Sequence, residues 1–163
     1  MHSKRRHVRE KVLQALYAFQ ITGDPITKIK SDILADLKDS DIREFAYRLI
    51  DNVSENTKKY DELITSSVDN WELERLALID HIVIKMCLTE FFFFEEIPPK
   101  VSINEAIDLA KDFSTTNSGK FVNGILDNIL IKLKKQGDIK KVGKGLLNST
   151  IEKAAPPNPD KKD

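Results

Sequence analysis

Arg5, Arg6 and Arg9 crowd the start of the chain in the string SKRRHVREK. Guanidinium groups are planar forks that match phosphate and carboxylate oxygens two at a time, so such a cluster can hold an anionic polymer. The residues that must position them read as one helix from Lys4 to Ile21. Val8, Val12, Ala15, Leu16 and Phe19 form its core stripe, with Leu13 and Tyr17 flanking it. Cations are disfavoured at a helix N-terminus, where the macrodipole is positive. A phosphate placed there would be attracted by the helix end and the arginines together. The bland alternative is a solvated, frayed basic end.

Catalytic groups are sparse. His2 and His7 lie in the basic terminus, and His81 stands alone. Cys87 follows His81 by six residues, about 120° round a helix, so the two do not converge as base and nucleophile. The sequence contains no Gly-rich phosphate loop, HExxH pair or paired-carboxylate cleft. One cysteine excludes an internal disulfide and a cysteine-cluster zinc site. A non-enzymatic protein without metal or cofactor is expected.

At 163 residues, with 40% hydrophobic residues, one domain around one core is the default. No apolar run approaches the roughly 18 residues of a spanning helix, and the charged N-terminus lacks a secretory stretch. A cytoplasmic protein is expected. Net charge is zero but unevenly placed. Residues 1–11 carry net +4, residues 12–131 net −9, and residues 132–163 net +5. Such polarity implies two kinds of partner, an anion at the ends and something more basic against the middle.

Helical periodicity runs through the chain, and no alternating strand pattern competes with it. Gly23-Asp24-Pro25 breaks the first helix; Ile26, Ile29, Ile33, Leu34 and Leu37 support a second. Ser40 or Asp41 caps a third, with Ile42, Phe45, Ala46, Leu49, Ile50 and Val53 facing inward. Tyr60, Leu63, Ile64 and Val68 form a short fourth. The fifth, from about Glu72 to Phe92, is apolar except for a strip of Glu74, His81, Lys85 and Thr89. Asp80 falls outside that strip, between Leu73, Ile84 and Cys87. An unpaired carboxylate there is expensive, so either an internal basic group satisfies it or another protein completes that face.

After Pro98-Pro99, Ser102 and Glu105 form a capping box. Ile103, Ala106, Ile107 and Ala110 then make an apolar face opposite Asn104, Glu105, Asp108 and Lys111. A polar break at 114–119 leads to a seventh helix from about Lys120, with Val122, Ile125, Leu126, Ile129, Ile131 and Leu133 available for burial. Gly124 inside it costs about 1 kcal/mol relative to alanine, which points to another backbone passing close by. Four consecutive phenylalanines, Phe91 to Phe94, would span about 300° of a helix and cannot share one packing face. Phe93 or Phe94 is expected to be the exposed one. Past Leu133 the chain is Lys-rich, then Pro156-Pro157-Asn158-Pro159. The expected division is a helical domain over 1–134 and a disordered basic tail over 135–163.

The string I-N-E-A-I-D-L-A-K-D-F, a short polar loop, then K-F-V-N-G-I-L-D resembles the C-terminal signature of the NusB transcription antitermination family. Two earlier blocks agree: Arg5-Arg6-His7-Val8-Arg9-Glu10 with Leu13-Gln14-Ala15-Leu16-Tyr17, and Trp71-Glu72-Leu73-Glu74-Arg75 with Asp80. In order, the blocks span residues 4–130. The phenylalanine run departs from the more polar link usual in the family. The resemblance implies an all-α, compact bundle of about seven helices in two packed subdomains. It implies binding of boxA-type single-stranded RNA with NusE, a small-ribosomal-subunit protein, in the transcription elongation complex, supporting ribosomal RNA transcription. A homodimer stays open. Arg5, Arg6 and Arg9 then become phosphate contacts. Tyr17, Lys120, Phe121 and Asn123 become an adjoining surface for stacking and base-edge contacts. Glu74, Asp80 and Glu90 become the acidic surface for NusE. Two rivals stand beside this reading. One is an RNA-binding domain from a ribosomal-RNA cytosine methyltransferase; the other is a helical adaptor that binds protein alone.

Overall fold

Eleven of the sixteen residues of the helix Leu78–Phe93 are buried, and the other helices are arranged around it. The computed structural model describes residues 2–68 and 76–146. Within them seven α-helices follow one another: α1 His2–Thr22, α2 Ile26–Ile33, α3 Ser40–Glu55, α4 Thr57–Thr65, α5 Leu78–Phe93, α6 Pro99–Phe113 and α7 Ser118–Gln136. A 3-10 turn, Gly143–Leu146, closes the described chain. No strand occurs among the described residues, as the unbroken helical periodicity requires.

Helix α5 meets α1, α3, α4, α6 and α7. Helix α1 packs against both α2 and α3, and α6 packs against α7. A helix that is apolar all round has no solvent face to offer, so it becomes the shared core element. Two residues of its expected polar strip, Thr89 and Lys85, are buried as well. Thr89 is fully buried and its hydroxyl lies 3.1 Å from the Tyr60 hydroxyl. Lys85 is buried beside Asp61, with Nζ 3.0 Å from the carboxylate. Among the described residues no helix is long and apolar enough to cross a membrane.

Several helix boundaries differ from their sequence signals. Asp39, not Ser40 or Asp41, caps α3, accepting from the backbone N–H groups of Asp41 and Ile42. Helix α6 begins at Pro99, preceded by an extended Pro98. Proline at the first helical position loses no intrahelical bond and fixes the required φ, so the start lies a turn before the expected box. Ser102 is thereby inside the helix, its hydroxyl donating to Glu90 Oε1 at 3.0 Å. At the other end of the chain, α7 stops on Gly137, whose φ of 69° is left-handed. Its N–H reaches Lys134 O, and Asp138 N–H reaches Leu133 O, closing the last turn.

The domain extends past the expected boundary at 134, which falls inside α7. Lys141 Nζ donates to the carbonyls of Glu90 and Phe94, both at 2.9 Å, capping the C-terminal end of α5. Gly145 lies so close to Glu95 that an added Cβ would sit 2.1 Å from its carbonyl oxygen. The Pro-containing stretch, 156–159, lies outside the described residues.

The phenylalanine run divides, though not where expected. Phe91 and Phe94 are fully buried, and Phe92 and Phe93 are half-buried. The helix ends at Phe93, so Phe94 leaves the helical screw and turns inward, packing edge-on against Phe45 at 5.1 Å. Phe92 stacks on Tyr60 beneath Lys59 Nζ, 3.7 Å from the ring centre. Two other expectations of burial fail: Phe19 and Ile131 are exposed. Gly124 is exposed too, with nothing within 4 Å of an added Cβ. No close backbone offsets its cost.

Candidate nucleic-acid interface

The first turns of α1 sort their cations by helical position. Lys4 and Arg5 are exposed, Arg6 is half-buried, and Arg9 is buried beside Val8 and Val12. Arg5 lays its guanidinium over the Phe45 ring, 4.9 Å from the centre. That contact orients the side chain on α3 without consuming a hydrogen-bond donor.

Arg6 and Arg9 instead enter a run of alternating charge shared by α1, α5 and α6. Arg9 makes a fork-to-fork pair with Glu90, Nε to Oε2 at 3.0 Å and Nη2 to Oε1 at 2.7 Å. Its side chain is 4% exposed and that of Glu90 2%. Ser102 donates to the same Glu90 oxygen. Glu105 Oε2 stands 3.9 Å from Arg9 Nη1 and 3.2 Å from Arg6 Nε. Asp108, one turn further along α6, accepts from Arg6 Nη2. The hydrogen bonds that Arg6 donates to Glu105 and then to Asp108 raise its pKa above the ordinary value. At Arg9, burial opposes the charge, but Glu90 outweighs it and the pKa is again raised.

The expectation that all three arginines present themselves to phosphate is therefore corrected for Arg9. Its 4% exposure leaves no room for a ligand atom. The helical wheel places it on the α5-facing side of α1, and only tertiary packing supplies Glu90 as its partner.

The acidic surface is corrected in the same way. Glu90 is spent on Arg9. Asp80 is 4% exposed and accepts from Ser118 Oγ at 2.9 Å, while its Oδ1 has no hydrogen-bond partner among the described residues. The reason is where α5 begins. With the helix starting at Leu78, Asp80 falls in its first turn, where the helix dipole favours a carboxylate, and it ties that turn to the first residue of α7. Glu74 lies outside the described residues.

The remaining candidate contacts are dispersed around α6. Tyr17 is 41% exposed on α1, about 16 Å along the helix from Arg6 by the rise per residue. Lys120 is exposed, and Phe121 and Asn123 are half-buried, in the first turns of α7. Helix α6 connects the two groups: Lys111, a turn beyond Asp108, covers Gly119, whose added Cβ would sit 2.7 Å from Lys111 Cε. Phe45 and Arg48 belong to the same end of the molecule and were missed. Arg48 is exposed, donates to Phe93 O and lies over the Phe94 ring at 4.3 Å. No local pattern marks either residue, because each acquires its partner across the fold.

The other titratable groups are structural. Burial pushes the Cys87 thiol well above its usual pKa, the opposite of an activated nucleophile. Burial also lowers the His81 pKa, helped by Lys85 and opposed by Asp61, whose carboxylate is 2.7 Å from Nε2. Among the described residues no group of three or more His, Cys, Asp or Glu could hold a metal ion.

The model of the NusB family matches residues 6–130. The chain is 39% identical over 160 residues to the transcription antitermination protein NusB of Chloroherpeton thalassium, covering 95% of this chain and 74% of that one. The NusB of Salinibacter ruber is 42% identical over 156 residues, covering 94% and 98%. Among solved structures, T. maritima NusB superposes with a TM-score of 0.73 at 39% identity, covering 78% of this chain and 91% of the other. A complex of the antitermination factors NusB and NusE with double-stranded RNA matches in fold, with a TM-score of 0.72 at 22% identity over 81% and 99%.

Proposed function

The chain belongs to the NusB family of transcription antitermination proteins, and on that premise we propose that it binds a boxA-type single-stranded RNA together with NusE. It does so in the transcription elongation complex, supporting synthesis of ribosomal RNA. The observation that carries the RNA reading is the division at the start of α1. A buried ion pair anchors the helix, while Lys4, Arg5 and the outer edge of Arg6 remain on the surface. Phosphates meet Arg5 and Arg6, with Arg5 held over Phe45. Lys120 adds a further cation, and exposed Tyr17 offers a ring on which an unpaired base can stack. Phe121 and Asn123, half-buried, contribute edges rather than whole faces. NusE meets a surface other than Asp80 and Glu90, which are inside the domain.

The test is a titration of the purified chain with a boxA-like oligonucleotide at several salt concentrations, with and without NusE. Affinity should fall with salt along a log–log line, and Arg5→Ala should flatten its slope by roughly 0.7, the value for one lost contact to a single strand. NusE should tighten binding. Salt-independent binding, or an unchanged slope in Arg5→Ala, refutes the phosphate assignment.

A further inference from the structure

We infer that Asp108 is a built-in competitor for the RNA phosphate at Arg6, and so a residue that sets the specificity of the interface. The inference rests on the RNA-binding reading above. From the interior outwards the charges alternate: Glu90, Arg9, Glu105, Arg6, Asp108. Two guanidinium groups face three carboxylates, so the run is net −1 and an arriving anion meets a site already compensated.

The inner members cannot yield. Glu90 and Arg9 are interlocked by two hydrogen bonds, and the Glu105 side chain, 4% exposed, is held between both arginines. The outer pair is different. The side chains of Arg6 and Asp108 are 38% and 41% exposed. Asp108 can swing into water at little desolvation cost, whereas Glu105 cannot.

The guanidinium fork accepts a carboxylate or a phosphate in the same geometry. Glu105 holds the Nε–Nη2 edge, so an RNA phosphate that takes two donors of Arg6 must use the Nη1–Nη2 edge and displace Asp108 from Nη2. Any polyanion bears that penalty. Only an RNA that also reaches Arg5 and the more distant contacts recovers it, so Asp108 suppresses indiscriminate binding more than cognate binding.

The experiment uses the full chain as wild type, Asp108→Asn, Arg6→Ala and the double variant, with thermal melts confirming the fold of each. Fluorescent oligouridine is titrated by anisotropy at several salt concentrations, and the Arg6 Nε–H resonance is titrated with inorganic phosphate. Asp108→Asn should tighten oligouridine about two- to fivefold, the range set by competition from an exposed ion pair. Its salt slope should steepen by roughly 0.7. Inorganic phosphate should shift the Arg6 resonance at lower concentration than in wild type, and the Arg6→Ala background should abolish the gain. Unchanged or weaker binding in Asp108→Asn overturns the inference, as does a gain that survives Arg6→Ala. If a boxA-like RNA fails to bind the wild type, the RNA reading falls. The phosphate titration still decides whether Asp108 guards Arg6.

Discussion

Replacing Arg9 by alanine should destabilise the fold without changing the salt dependence of RNA binding. The Arg9 and Glu90 side chains are 4% and 2% exposed and share two hydrogen bonds of 3.0 and 2.7 Å. Removing the guanidinium leaves the Glu90 carboxylate in the interior with Ser102 Oγ as its remaining side-chain donor among the described residues. Breaking a buried pair in this way costs about 3–5 kcal/mol, because one charge is left uncompensated. For a domain of this size that corresponds to a fall in Tm of roughly 6–20 °C. Replacing both partners by apolar residues of similar volume, Arg9→Met with Glu90→Met, should recover most of the loss, since no buried charge remains. Urea unfolding of the three variants measures the stability, and anisotropy with a boxA-like oligonucleotide below the melting range measures the slope. A loss under about 1 kcal/mol in Arg9→Ala would mean that the pair is solvated. A slope flattened by roughly 0.7 would mean that Arg9 touches phosphate.

Other outcomes are equally specific. Phe94→Ser should cost several kcal/mol, as expected of a fully buried ring (about 3–5 for Phe→Ala), whereas Phe93→Ser should cost far less; equal losses in urea unfolding would contradict the exit of Phe94 from the helix. Asp80→Lys should destabilise the chain itself, because the ammonium would enter a buried site beside Ser118; a fully stable variant that only loses NusE binding would return Asp80 to the surface. Cys87 should resist a thiol reagent at pH 8 in the native state and react only on unfolding; rapid native labelling would contradict its burial and raised pKa. His81 should titrate below the ordinary 6.5 by NMR. Its folded pKa being depressed, the unfolded chain binds its proton first, so this contribution to stability is present above about pH 6.5 and is lost as pH falls; a midpoint above 6.5 would refute the sign.

Periodicity alone determined the all-α class and the order of seven helices, because an amphipathic repeat is a local property. The apolar run of α5 marked the central helix, and the resemblance of three ordered blocks marked the family. Local signals went wrong where two structures compete for one side chain. Ser102 and Glu105 have the spacing of a capping box, yet Pro99 starts the helix earlier and tertiary partners claim both residues. The expected exposure of Phe93 or Phe94 fails at Phe94, because the chain leaves the helix there and the ring turns in against Phe45.

The site was legible in composition but not in function. A cluster of arginines can be read from the first nine residues; which of them face water cannot. Arg9 lies 81 residues from Glu90 in the chain, and Arg6 lies 99 from Glu105. Asp80 likewise meets Ser118 across 38 residues. An ionic side chain has no periodicity that announces its partner, and the same guanidinium is a ligand at the surface or a strut in the core. Burial and the approach of distant carboxylates decide between the two, and both are set only when α1, α5 and α6 pack together.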